Sequence, residues 1–141
     1  MEKRSRLTVA GAIGFLALIA GASASSADSL DPGLAGAWTT SAADCSKLFV
    51  RRGRVLAYRL PVDRFAQAAI IEPLSIRLPA TTCRVHGVSH ANDAIKISAE
   101  CNDSISYATQ TVMITVKSGS EIVYSPTGDH ALDTTLVKCP L

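Results

Sequence analysis

Cys83-Arg84-Val85-His86-Gly87-Val88-Ser89-His90-Ala91-Asn92-Asp93-Ala94-Ile95-Lys96-Ile97-Ser98-Ala99-Glu100-Cys101 decides the fold. Cys83 and Cys101 flank a polar turn, Ser89 to Asp93, and the midpoint of the two cysteines is Asn92. A hairpin centred there sets Cys83 opposite Cys101, close enough to bridge across a non-hydrogen-bonded pair. The same register sets Val85 against Ala99 and Gly87 against Ile97 on one face. The other face carries Arg84 against Glu100, His86 against Ser98 and Val88 against Lys96. The first face is apolar and the second mostly polar, with Arg84 and Glu100 as an opposite-charge pair. A slip of one residue exchanges the two faces, so the pattern itself argues for the register.

Outward from this hairpin, the chain reads as strands and turns. Ala35–Thr40, Ser46–Arg51 and Arg54–Tyr58 come first, the last two joined by a turn at Arg52-Gly53. Ala69–Ile71 and Leu74–Leu78 flank a turn at Glu72-Pro73. After the hairpin, Ile105–Lys117 is the longest β-like run. Its apolar phase shifts near Thr111-Val112, which calls for a bulge or a change of packing partner there. Ser118-Gly119-Ser120 turns into Ile122–Tyr124, Pro126–Asp129 makes another turn, and Ala131–Cys139 closes the chain. Val62–Ala69, after Pro61, reads either as extended chain or as a short helix with proline at its start. Eight to ten short strands with regular turns make one all-β domain, an antiparallel barrel or sandwich.

The beginning of the chain is different. Lys3, Arg4 and Arg6 precede an apolar run, Leu7–Ala22, of 16 residues, short of the ~20 that span a bilayer. Ala22-Ser23-Ala24 then places small residues where a signal peptidase accepts them, with Ala27 as the alternative cleavage point. The expected organisation is a signal peptide over 1–24, a flexible lead over 25–34 and one β domain over 35–141. Taking Lys3, Arg4, Arg6 and Glu2 from 14 bases and 12 acids leaves 11 of each, so the basic excess belongs to the leader. The mature chain is then neutral, periplasmic or secreted, without membrane insertion and without a nucleic-acid partner.

Cys45, Cys83, Cys101 and Cys139 all lie beyond the leader, and an even count in a small exported domain reads as disulfides. With Cys83 paired to Cys101 by the hairpin, Cys45 is left for Cys139. No two cysteines lie within four residues of each other, which excludes a C-x-x-C redox or zinc motif. His86 and His90 would share a helix face, but on a hairpin their spacing has no ligand meaning, so neither metal nor cofactor is expected. No G-x-S-x-G elbow is present, and the acids fall mostly at turns and strand ends. No enzymatic activity is therefore expected; a hydrolase using two converging carboxylates is the remaining catalytic alternative.

Arg51, Arg52 and Arg54 form the most uneven charge feature of the domain. Gly53 between them gives a turn the freedom to present the guanidinium groups together to an anionic surface. They are the candidate binding residues, for an envelope or secreted protein or an anionic envelope component. Trp38, Phe49, Tyr58, Phe65, Tyr107 and Tyr124 are assigned to the core, with room in a small barrel for at most one small apolar ligand.

Gly36-x-Trp38 near the start of an exported β chain resembles the opening of lipocalin-like barrels, where the tryptophan plugs one end. Together with Asp44-Cys45, Phe49–Gly53, Ile70–Glu72, Ile76-Arg77, Ala80–Val85, Cys101 and Cys139-Pro140, it also resembles a group of small exported bacterial proteins without an assigned activity. A looser similarity is to Inh-type metalloprotease inhibitors, small periplasmic barrels whose N-terminal trunk enters a protease cleft; the corresponding stretch here is Ser25–Leu34. Periplasmic inhibitors of animal-type lysozyme carry Ser-Gly-x-x-Tyr. Here Ser118-Gly119 is followed by Ile122 at the tyrosine position, and Tyr124 comes two later. These resemblances imply export, an all-β fold and paired cysteines. With the even cysteine set, the neutral body and no catalytic constellation, the expected function is an exported binding or inhibitor module acting through its loops and the arginine tip. The alternative is a carrier of a small apolar ligand inside the barrel.

Overall fold

The computed structural model describes residues 29–141, so the leader and its cleavage point lie outside the described residues. Ten strands form: β1 (Gly36–Thr39), β2 (Phe49–Arg52), β3 (Val55–Tyr58), β4 (Ala68–Glu72), β5 (Ser75–Arg77), β6 (Thr82–Ala91), β7 (Ala94–Asn102), β8 (Tyr107–Ser118), β9 (Glu121–Ser125) and β10 (Thr134–Lys138). From β4 to β10 each strand pairs antiparallel with the next. β1 sits between β10 and β4 and closes the sheet. The result is an eight-stranded barrel, the first of the two expected architectures, with β2 and β3 as a separate two-stranded sheet.

Cys83 faces Cys101, Arg84 faces Glu100 and Val85 faces Ala99, as the hairpin reading requires. Both disulfides form, Cys83–Cys101 and Cys45–Cys139. Past Val85 the register departs from expectation. A bulge at His86 moves the pairing to Gly87 with Ser98 and Val88 with Ile97. The even register would have left Gly87 inside and sent Val88 to solvent. With the bulge, Val88, Ile95 and Ile97 are all buried. Burying a valine is worth about 1.5 kcal/mol or more, against about 1 kcal/mol for a disturbed ladder bond, so the bulge wins. The turn tightens to Asn92-Asp93, with Asn92 at φ 57°, a conformation asparagine tolerates better than most residues.

The phase shift in β8 comes from a change of partner. Tyr107–Gln110 pair with β7 alone and are exposed, whereas β9 joins only from Met113. Ile114 is buried where both neighbours are present, and Val112 is buried just before β9 joins. The bulge in this strand lies further on, between Val116 and Ser118.

One open reading is settled and two local expectations are corrected. Val62–Ala69 forms no helix: Asp63 Oδ1 accepts the Phe65 N–H at 3.0 Å and the Asp63 carbonyl accepts the Ala66 N–H, closing an isolated turn. That side-chain bond competes with helix propagation, and the β1 ladder takes up the chain from Ala68. The short α-helix, α1, is instead Cys45–Leu48, where a strand was expected from Ser46. A 3₁₀ turn over Ala42–Asp44 leads into it, and Lys47 Nζ meets Asp44 Oδ1 at 2.9 Å across one helical turn. The β2–β3 turn is Gly53-Arg54, one residue later than expected, with Gly53 at φ 61°.

The barrel encloses one core, including Trp38, Ile76, Ile97, Ile114 and Ile122. The β2–β3 hairpin lies over the outside of β1 and β4 and encloses a second core of Ala37, Phe49, Leu56, Ala68 and Ile70 with the Cys45–Cys139 bridge. This explains the unbroken burial of Ala68–Ile71: β4 has the barrel on one face and the hairpin on the other. Tyr58 fastens the layer, its hydroxyl within bonding distance of the carbonyls of Arg77 (2.9 Å) and Ala68 (3.2 Å). Arg77 Nη2 donates to the Leu56 carbonyl at 2.7 Å and to Glu72 Oε1 at 3.0 Å.

Candidate functional site

The two barrel ends differ. At one end, where β1 begins and β10 finishes, Trp38 is buried and donates its indole N–H to the Leu34 carbonyl at 2.9 Å. Leu30 and Leu34, in the segment read as a lead, are built into the core beside it. Lys138 crosses above, its ammonium 5.4 Å from the Trp38 ring and bonded to the Gly33 carbonyl at 2.8 Å. Gly36 stands at φ 141°, and a Cβ there would come within 3.0 Å of the Lys138 side chain. Glycine is therefore required for the closure of this end.

The opposite end is formed by the chain before β4 and by the β5–β6, β7–β8 and β9–β10 loops. A cavity of about 360 Å³ opens there. Its wall is mainly apolar: Ala66, Ala68 and Ala69 on one side, Leu78, Pro79 and Ala80 on another, and Pro126, Leu132 and Leu136 across from them. Much of the space comes from small side chains. Ala69 is the small residue on the barrel face of β4 at this end, Ala80 stands in the β5–β6 loop, and Ala66 and Ala68 reach the cavity from the outer core.

Tyr124, on β9, reaches this cavity from the core. It is 6% exposed, and its hydroxyl has no hydrogen-bond partner. Burial pushes its pKa up to about 12, so it remains a neutral hydroxyl, able to donate and accept. Arg64 and Gln67 supply polar groups to the wall, together with Thr81 and Thr134. Two apolar side chains on loops of the same end stand in solvent, Phe65 at 94% exposure and Ile105 at 93%.

Below the β9–β10 loop, Ser125 donates its hydroxyl proton to Asp133 Oδ1, and His130 Nδ1 lies 3.1 Å from Asp133 Oδ2. Those bonds hold the Asp133 carboxyl below the usual carboxylate range, Ser125 contributing most. The carboxylate sits between the serine and the histidine. Nucleophilic catalysis needs the histidine in the middle, so the three residues act as a brace for the loop. Among the described residues, no group of three or more His, Cys, Asp or Glu is placed to hold a metal.

The predicted arginine site is divided. Arg51 and Arg52 project from opposite faces of β2, as neighbours on a strand must. Arg51 Nη2 donates to the carbonyl oxygen of Leu141 at 2.7 Å, tying the hairpin tip to the end of the chain. Arg52 and Arg54 are exposed. On the outer sheet face, Glu100 meets His86 Nε2 at 2.7 Å, so histidine takes the contact expected of Arg84. Bonds from Tyr107 and then His86 lower the Glu100 carboxyl pKa. Tyr124 and the cavity wall were not singled out from sequence, where Tyr124 read as core. The usable signal was the small residues at strand ends, Ala66, Ala68 and Ala69 with Pro79-Ala80.

Two disulfides among the described residues fit an oxidising compartment, and no helix among these residues is long and apolar enough to cross a membrane. No family model, no curated protein and no solved structure matches the chain.

Proposed function

We propose that this protein is a non-enzymatic, exported binding barrel that holds a small, mainly apolar molecule in its open end. One observation carries the reading: a 360 Å³ apolar-walled cavity at the end the side chains leave unfilled, opposite an end plugged by Trp38. That volume is at the lower end of the ~300–1,000 Å³ range of ligand pockets, and a wall with few polar groups suits such a ligand. The test is the native mass spectrum of protein purified without organic solvent or detergent. A mass increment that disappears on denaturation, and that is missing from an Ala80→Trp variant with its rim blocked, supports the reading. A bare chain in both forms counts against it.

The inhibitor reading keeps one specific support. Arg52 and Arg54 stand exposed at the β2–β3 tip and enter no ion pair among the described residues. If this tip docks on an anionic envelope component or an acidic protein, Arg52→Ala with Arg54→Ala abolishes retention on that partner. Unchanged retention removes the tip from the account.

A further inference from the structure

Resting on the reading of the open end as a ligand site, we infer that its ligand carries an uncharged oxygen acceptor that docks on the Tyr124 hydroxyl. The argument starts from an imbalance. A buried hydroxyl without a partner costs free energy, and native interiors rarely leave one. Among the described residues, only two buried side-chain polar atoms lack a partner, the Tyr124 hydroxyl and Arg77 Nε. Arg77 belongs to the contact between barrel and hairpin. Tyr124 lines the cavity.

The chemistry of the site then narrows the ligand. The ring of Tyr124 and the side chains of Ala69, Leu78 and Leu136 offer only apolar contact. The hydroxyl keeps its proton over the physiological range, because burial opposes the phenolate. Its free proton calls for an acceptor such as a ketone, ester, ether or alcohol oxygen. A carboxylate brought to the same depth would lose its hydration without meeting a cation, since Arg64 is on the exposed part of the wall. The class is therefore a neutral, oxygen-bearing, mainly apolar molecule of modest size.

The experiment uses benzylacetone and butylbenzene, which differ only in a carbonyl replaced by a methylene. Binding of each is followed by amide chemical shifts in wild type and in Tyr124→Phe. The inference expects benzylacetone to bind Tyr124→Phe roughly threefold to tenfold more weakly than wild type, while butylbenzene binds both alike or favours the variant. Tyr124→Phe removes an oxygen that bonds to nothing, so its melting temperature should not fall. Ala80→Trp should weaken both probes. Saturable binding of both probes at the open end with no selective effect of Tyr124→Phe overturns the acceptor assignment but leaves the site. Tighter binding of phenylbutanoate than of benzylacetone overturns the requirement for an uncharged group. If neither probe shifts residues at the open end, the site itself fails, and this inference with it.

Discussion

Breaking the Cys45–Cys139 bridge should be the most costly small change in the domain, and for a reason outside the folded contacts. The bridge joins residues 94 apart in sequence. In the chain-entropy description, closing a loop of that length restricts the unfolded chain by about 4.7 kcal/mol at 25 °C. That is a large part of the ~5–15 kcal/mol by which single domains are stable. The loss should be spatially uneven, because the bridge fastens α1, and through it β2 and β3, to the end of β10. Urea unfolding of Cys45→Ala, Cys139→Ala and the double variant is the assay. Each single variant should lose nearly as much as the double, since either change removes the whole bridge. The m-value should rise, because the released unfolded chain exposes more surface. Amide exchange should show Phe49–Tyr58 losing protection before β6, β7 and β8 do. A double variant within about 1 kcal/mol of wild type, or single variants whose losses add, would refute the reasoning.

Three further outcomes follow from the same geometry. Trp38→Phe leaves the buried Leu34 carbonyl without its donor and should lower stability by about 1–3 kcal/mol, measured by denaturant unfolding. Because Ser125 and His130 hold the Asp133 carboxyl below its unfolded value, its contribution is present above about pH 4 and disappears as pH falls through the lowered folded value. Stability measured against pH should therefore decline less steeply on the acid side in Asp133→Asn. Arg52→Ala and Arg54→Ala should leave the melting curve almost unchanged, within about 0.5 kcal/mol, because both side chains project into solvent.

How legible each feature was depended on how local its cause is. Cys83 and Cys101 announced their own pairing because a strand alternates with period two and the cysteines sit symmetrically about a polar turn. The bulge at His86 was not readable there, since it answers to the closing of the barrel, which draws Val88 and Ile95 inward together. Val62–Ala69 read as either extended chain or a short helix and is not helical, whereas the short helix occurs at Cys45–Leu48, where a strand was expected. At both places local signals were weak; the Cys45–Cys139 bridge ties the observed helical turn to the end of the chain that follows β10. Arg51 looked like a free tip cation because nothing in the sequence says that Leu141 ends beside it. The open-end cavity was least legible of all. It is a space between loops distant in sequence, and its chief polar group, Tyr124, reads along the chain as one more aromatic core residue.

Mapping where an apolar probe binds is the most direct measure of the proposed function. Uniformly labelled protein titrated with butylbenzene should show saturable amide shifts at Ala69, Ala80, Thr81 and Leu136, with none around Leu34 and Trp38, and Ala80→Trp should abolish them. Shifts that never saturate, or that gather at the Trp38 end, would contradict a ligand site at the open end of this barrel.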